Sequence, residues 1–369
     1  MGLVYITPFV RKGLTEYIES GITTNRSFAS VSSSKIIEVY TSTPEQYRMR
    51  ARFINPQTLD FGSSTIIEED FAHGGYGASG NRCYVALVSP TRAVAVTLPY
   101  GYSFMSAYLI DVSGTSPVLL DSLQISASGY VPYGIVGCNN KATVFHYRNS
   151  PRAIYATLIS YDSNTETISA GSAATMSTAT TASFENSVLV NPSTGYSFVA
   201  WSTTPGYITS FNNTTILANR LDTQYHTNVN NVEGNVITLN GSSQGMVIFK
   251  NTSGSYISAR RINITEGSAP TFGTMYTINT PFSYHEAYPI DSDKSVLFYQ
   301  GAIGVDDHTY YQIFDKSSGE VLPSGSPVQI GGTGIALNMA GINLGNNDLL
   351  IRRRSDSTTI DTIYYKFTY

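Results

Sequence analysis

One element recurs along this chain: a short apolar strand, a polar turn, and a second, strongly apolar strand. It appears as Phe28-Ala-Ser-Val31 followed by Ile36-Ile-Glu-Val-Tyr40, then as Tyr84-Val-Ala-Leu-Val88 with Ala93-Val-Ala-Val96, and as Gly134-Ile-Val-Gly-Cys138 with Ala142-Thr-Val-Phe145. The fourth copy is Ser187-Val-Leu-Val190 with Tyr196-Ser-Phe-Val-Ala-Trp201, and the fifth Val236-Ile-Thr-Leu239 with Met246-Val-Ile-Phe249. The last two are Ala287-Tyr-Pro-Ile290 with Ser295-Val-Leu-Phe-Tyr299, and Ala340-Gly-Ile-Asn-Leu344 with Asp348-Leu-Leu-Ile351. The second strands begin roughly every 50 residues, a period at which one supersecondary unit stacks on the next.

Each hairpin leads into a third strand of alternating character, such as Ser106-Ala-Tyr-Leu-Ile-Asp111, Ala153–Ile159, Tyr256–Ile262 and Tyr310–Asp315. Turns such as Asp111-Val-Ser-Gly-Thr115 lead to a fourth, as in Pro117-Val-Leu-Leu-Asp121. Continuous apolar runs suit strands covered on both faces, and alternation suits strands that meet water. The pattern predicts an all-β fold, a seven-bladed β-propeller of four-stranded antiparallel blades. The expected divisions are 1–25 for an N-terminal strand and crossover, then blades at 26–70, 71–128, 129–180, 181–230, 231–280, 281–332 and 333–369. A chain of 369 residues would ordinarily suggest more than one domain, but a repeat extends one architecture without a second core. The 27 tyrosines and 16 phenylalanines favour strands, and charged residues make up only 13%, the reverse of a disordered composition.

The seventh unit runs out of chain at its third strand, Asp361–Tyr369, while Leu3–Val10 is a spare extended segment ahead of the first hairpin. Residues 3–10 are therefore expected to supply the missing outermost strand by pairing with Asp361–Tyr369, with Val4, Ile6, Phe9, Ile363, Tyr365 and Phe367 as the latch residues. An edge strand tolerates Pro8, and pairing both termini removes an exposed edge. Arg11–Asn25 is expected to cross from rim to channel, with a helical turn possible through Leu14, Tyr17 and Ile18.

Charge and motifs exclude several classes of function. A net charge of −4 and a pI near 5.7 give no footprint for nucleic acid or an anionic membrane. The one basic run, Arg352-Arg353-Arg354, lies in a strand where side chains alternate faces. Cys83 and Cys138 fall at opposite ends of neighbouring inner strands, so no disulfide is expected. No membrane-spanning run or signal peptide is read, which implies synthesis in a cytosol. His73, His146, His226, His285 and His308 share no metal-ligand spacing, and His146 in Phe145-His-Tyr147 reads as a buried strand residue. Glu68-Glu69-Asp70 is an acidic cluster, but adjacency does not set the separation that glycoside hydrolysis needs. With a single tryptophan, Trp201, sialidase-type Asp-box repeats are absent, as are WD40, kelch, P-loop and GxSxG patterns. No cofactor, metal site or catalytic group is expected.

Low charge, Ser/Thr/Asn/Gly/Tyr-rich β repeats and phrases such as Val190-Asn-Pro-Ser-Thr-Gly-Tyr-Ser-Phe-Val-Ala-Trp201 and Leu109-Ile-Asp-Val-Ser-Gly-Thr115 resemble virion proteins of tailed bacteriophages: tail, fibre, receptor-binding or decoration proteins. The resemblance implies a non-enzymatic virion component that meets other virion proteins or a host-surface receptor or polysaccharide. Three segments joining second to third strands are expected to gather on one face and bind: Tyr100, Tyr102 and Phe104; Tyr207, Phe211 and Asn212; and Asp306, Asp307, His308 and Tyr310. Tyr, Ser, Gly and Asn build adaptable contact surfaces at modest entropic cost. The alternative is a lectin-like binder or a carbohydrate-active enzyme, the latter requiring carboxylates that converge at the channel.

Overall fold

The computed structural model describes residues 9–12, 26–42, 48–68, 83–98, 104–125, 130–149, 152–178, 183–202, 205–212, 220–226, 236–239, 243–251, 256–301, 308–316, 322–329, 340–345, 348–354 and 362–368. All of its regular structure is β. Strand β1 (Phe9–Lys12) precedes unit one, which is β2 (Arg26–Ser32), β3 (Lys35–Ser42), β4 (Arg48–Ile54) and β5 (Thr65–Glu68). Unit two is β6 (Tyr84–Ser89), β7 (Arg92–Thr97), β8 (Ser106–Asp111) and β9 (Val118–Gln124). Unit three is β10 (Tyr130–Cys138), β11 (Lys141–Asn149), β12 (Arg152–Asp162) and a split outer strand, β13 (Thr167–Ala170) and β14 (Ala174–Ser177). Unit four is β15 (Ser183–Asn191), β16 (Tyr196–Ser202), β17 (Gly206–Asn212) and β18 (Leu221–His226). Units five and six comprise β19 (Val236–Leu239), β20 (Gln244–Asn251), β21 (Tyr256–Asn263), β22 (Thr271–Pro289), β23 (Lys294–Gly301), β24 (Thr309–Asp315) and β25 (Leu322–Gln329). Unit seven has β26 (Ala340–Gly345), β27 (Asp348–Arg354) and β28 (Thr362–Thr368).

Within every unit the strands pair antiparallel in chain order. The boundary expected at 280/281 is absent: β22 is one 19-residue strand that ends unit five and begins unit six, fusing them into a seven-stranded sheet. Bulges between Tyr256 and Ile257 and between Phe282 and His285 let it change partners along its length. Strand β1 completes the sheet β1-β28-β27-β26, with Phe9 opposite Thr368 and Lys12 opposite Tyr365. The described pairing runs over Phe9–Lys12, so Arg11 belongs to the strand rather than to a crossover, and residues 3–8 of the expected segment lie outside the described residues. Val4, Ile6 and the expected helical turn lie outside the described residues, and Phe9, Ile363, Tyr365 and Phe367 are placed here by their backbone alone.

The alternation of each second strand decides the packing, because its two faces serve two different neighbours. Ile37 and Val39 join Val85 and Ala93 between units one and two, and Val94 and Val96 join Ile135 and Val144 between two and three. Phe145 meets Val199 and Phe211, Phe198 meets Val247 and Phe249, and Met246 and Ile248 meet Leu297 and Tyr299. Val296 and Phe298 then meet Leu349, and Leu350 meets Ile36 and Ile54 of unit one. Each such side chain contributes about 1.5–3 kcal/mol on full burial, so the core is spread over successive interfaces rather than gathered at one centre. First strands contact in the same succession, β2 to β6, β10, β15, β19, β22 and β26, and β26 contacts β2. The approach is closest at Gly137, where a Cβ would lie 2.3 Å from the carbonyl oxygen of Leu87. Outer strands meet water: Val118, Leu119 and Leu120 of β9 are all exposed, without the alternation expected of them.

Candidate functional site

The antiparallel course gives each unit two ends. At one, first strands turn into second strands and third into fourth. At the other, second strands pass to third. The ends differ in chemistry, and the second strands show why.

The first residue of each second strand is Lys35, Arg92, Lys141, Tyr196, Gln244, Lys294 and Asp348 in turn. Several of these are long donors that reach the next unit. Lys35 Nζ donates to the carbonyls of Val112, Ser113 and Gly114 at 3.2, 3.4 and 2.8 Å. Arg92 holds both carboxylate oxygens of Glu166 at 2.7 and 2.8 Å and Asp111 at 2.9 Å. Tyr196 donates to the Ser268 carbonyl, and Gln244 Nε2 to that of Ser292. The turns between these clasps are self-supporting: the side-chain oxygens of Ser89, Asn191 and Asp291 accept the amide two residues on, as Asx and Ser turns do. Asn139 and Asn140 take the positive φ of 50° and 59° that a two-residue hairpin needs. The Arg92 bonds hold the Glu166 carboxyl below the ordinary carboxylate range. Near this end Lys316 is fully buried, its Nζ without a hydrogen-bond partner among the described residues. Burial lowers its pKa to about 8, against the opposing pull of Asp293 and Asp291.

The sixth residue of each second strand lies toward the other end. In units one to six it is Tyr40, Thr97, His146, Trp201, Phe249 and Tyr299. In units three, four and six the residue directly opposite on the third strand is also aromatic, and the rings lie nearly parallel. His146 and Tyr155 are 5.8 Å apart at 13°, Trp201 and Tyr207 4.6 Å at 20°, and Tyr299 and Tyr310 5.6 Å at 24°. In each pair the second-strand ring is buried and its third-strand partner half-buried. In unit one the residue opposite Tyr40 is Arg50, and the cation over the ring comes from two residues along the third strand. Arg52 lies 5.0 Å from the Tyr40 ring and 4.3 Å from that of Phe61, and donates to Glu38 at 2.7 Å inside the core. His146 is a core residue as expected, with Nε2 2.9 Å from Thr157 Oγ1. Burial lowers its pKa to about 3.

The residues named from sequence divide between these ends. Tyr207 and Tyr310 are strand residues of the aromatic pairs, and Phe104 is half-buried just before β8. His308 precedes β24, accepts from the Gly301 amide at 3.1 Å, and has its ring 6.5 Å from that of Tyr310. Phe211 and Asn212 do not belong to a binding loop. β17 already begins at Gly206, so Phe211 is buried against Phe145 at 5.4 Å. Asn212 lies at the clasped end, donating to the Thr194 carbonyl. Tyr100, Tyr102, Asp306 and Asp307 lie outside the described residues. Of the acidic cluster, Glu68 accepts from the Tyr108 hydroxyl at 2.6 Å, tying unit one to unit two. Cys83 and Cys138 are buried and no disulfide joins them. No group of His, Cys, Asp and Glu suited to a metal occurs among the described residues.

No protein-family model matches the chain, and no curated protein matches its sequence. Solved structures do match in fold. A fungal alcohol oxidase of the AA5 family, in complex with copper, superposes with a TM-score of 0.59 at 10% identity, over 97% of this chain and 76% of that one. The NanB sialidase of Streptococcus pneumoniae gives 0.55 at 8% identity, over 98% and 70%. The β-propeller domain of the Trilobed protease from Pyrococcus furiosus gives 0.53 at 9% identity, over 94% and 95%. The chain has the β-propeller fold, built of successive four-stranded antiparallel sheets. At such identities the likeness carries fold and nothing of activity.

Proposed function

We propose that this chain is a non-enzymatic structural and adhesion protein of a bacteriophage virion: a closed propeller of seven blades that binds through the end where second strands pass to third. The observation that carries the binding reading is the asymmetry of the two ends. One is clasped by long donors at the head of successive second strands, while the other, though Glu68 and Tyr108 tie the first two blades there, carries half-buried aromatic rings of the kind that build adaptable contact surfaces. A scaffold fixed at one end lets the other vary without loss of fold. Closure is supported by the contact of β26 with β2 and by the β1–β28 pairing. The virion assignment rests on composition: few charges, and long Ser/Thr/Asn/Gly/Tyr-rich repeats. Its partners would be other virion proteins and a host-surface polysaccharide or receptor. Among the described residues several carboxylates are held by cations: Glu38 by Arg52, Glu166 and Asp111 by Arg92, and Asp222 by Arg220.

Antibody raised against the purified chain should label intact virions from the lysate in which it is made, and the labelled chain should adsorb to the host bacterium. A chain absent from purified particles would overturn the virion reading.

A further inference from the structure

The aromatic pairs of units four and six extend by one more residue, and it is the same residue. In unit four Trp201 lies opposite Tyr207, and Tyr207 lies opposite Gln224 of β18. In unit six Tyr299 lies opposite Tyr310, and Tyr310 lies opposite Gln329 of β25. Residues directly opposite on antiparallel strands share a face. Each row therefore runs outward from a buried ring, through a half-buried tyrosine stacked on it, to an exposed primary amide. Both rows sit on the side of their unit turned to the preceding one, since Trp201 packs in the core shared with unit three and Tyr299 in that shared with unit five. The other described rows lack the combination. Unit two has Gln124 but Ser106 and Thr97 in place of rings, unit three ends in Thr175, and in unit five Ser258 bonds Thr277 at 3.2 Å.

We infer that the rows Trp201–Tyr207–Gln224 and Tyr299–Tyr310–Gln329 are two equivalent subsites for a neutral saccharide. This rests on the binding reading above and names its ligand class. A pyranose offers an apolar face of C–H groups and a rim of hydroxyls. A tyrosine held flat by a buried ring offers the matching surface, already oriented and with little rotamer freedom to lose. The amide beside it can donate and accept at once, which suits adjacent hydroxyls. Neither row contains an ionisable side chain that is charged at neutral pH. Arg220, beside the unit-four row, is already paired with Asp222, so a uronic or sialic acid carboxylate would lose water there without gaining an unpaired counter-charge, and the rows favour uncharged sugars. Two copies on one rigid ring also suit a repeating polymer, because the second contact becomes intramolecular once the first has formed.

Trp201 is the chain's single tryptophan, so its emission reports on the unit-four subsite alone. The full chain is titrated with maltoheptaose, cellohexaose and chitohexaose, with polygalacturonate as the charged control. At least one neutral oligosaccharide should shift or quench Trp201 emission saturably at millimolar concentration, and polygalacturonate should not. Tyr207→Ala should weaken binding at that subsite by about tenfold, the scale of an aromatic anchor's loss. Gln224→Ala, at an exposed position that leaves the fold intact, should weaken it several-fold. Tyr310→Ala and Gln329→Ala should leave the Trp201 response unchanged and halve the calorimetric stoichiometry. Silence from every neutral oligosaccharide overturns the inference. So does binding that survives the Gln224→Ala/Gln329→Ala double variant, or a Tyr207→Ala variant that loses only thermal stability. If that double variant still adsorbs fully to the host bacterium, the saccharide subsites fall while the adhesion reading stands.

Discussion

The two ends of the blades are made from the same strands yet solve different problems. At the clasped end, the first residue of a second strand reaches across to the next blade, as Lys35 does to Gly114 and Arg92 to Glu166. At the opposite end, five residues further along, the strand presents a ring to the preceding blade, as with Trp201 and Tyr299. A strand with period two serves both neighbours at once, with odd positions to one side and even positions to the other. Under the reading proposed above, polar cohesion between blades and a surface for a ligand would fall at different ends of the same strands. Substitutions at the clasped end should act on stability, and those at the half-buried and exposed residues of the other end on binding.

The largest effect is expected where the clasped end is tightest. Gly137→Ala places a Cβ 2.3 Å from the backbone oxygen of Leu87, which cannot swing away as a side chain would. A loss of about 3 kcal/mol is expected in chemical denaturation. An unchanged midpoint would show that the inner strands are looser than described.

Acid should separate the ends by pH window. His146, near the open end, has its pKa lowered by burial to about 3 from an ordinary value of 6.5. Between those values the unfolded chain binds a proton that the folded chain refuses. Stability is therefore full above pH 6.5 and is lost as pH falls toward 3, on the order of 2 kcal/mol by mid-window. Glu166, at the clasped end, is held below its usual value of 4.5 by Arg92. Its contribution is present above 4.5 and is lost only as pH falls through its lower folded value. His146→Phe should flatten the denaturation midpoint between pH 6.5 and 4.5 and leave the later loss in place. A slope that survives in His146→Phe would assign the upper window to another group.

The smallest effect concerns a single clasp. Arg92→Ala removes one surface ion-pair network and should cost about 1 kcal/mol or less, fading as salt is raised. A loss several times larger would mean that the blades hold together through these bonds more than through their apolar faces.

Much of this architecture could be read before any coordinates. The second strands are continuous apolar runs because both faces are covered, so they marked the repeat, and the spare N-terminal segment pointed to the strand that pairs β28. The register of that pairing was not legible, since Val4-Tyr-Ile and Phe9-Val-Arg read from sequence equally as strand residues. Nor was the fusion of units five and six, because bulges absorb the change of partner within the single strand β22. Pro205-Gly206 suggested a loop through Asn212, although Tyr207-Ile-Thr-Ser-Phe211 has the alternation of a strand. The aromatic–amide rows were hidden for a simple reason. Trp201, Tyr207 and Gln224 are spaced differently in sequence from Tyr299, Tyr310 and Gln329, and only cross-strand register shows that the two sets occupy the same positions.

The division of labour between the ends is tested most directly by adsorption of labelled chain to the host bacterium, comparing two pairs of substitutions matched for retained thermal stability. Gln224→Ala with Gln329→Ala alters the open end, and Lys35→Ala with Gln244→Ala alters the clasped end. Adsorption should fall severalfold for the first pair and stay at the unsubstituted level for the second. Equal loss in both, or loss in the second alone, would contradict a binding face at the end where second strands pass to third.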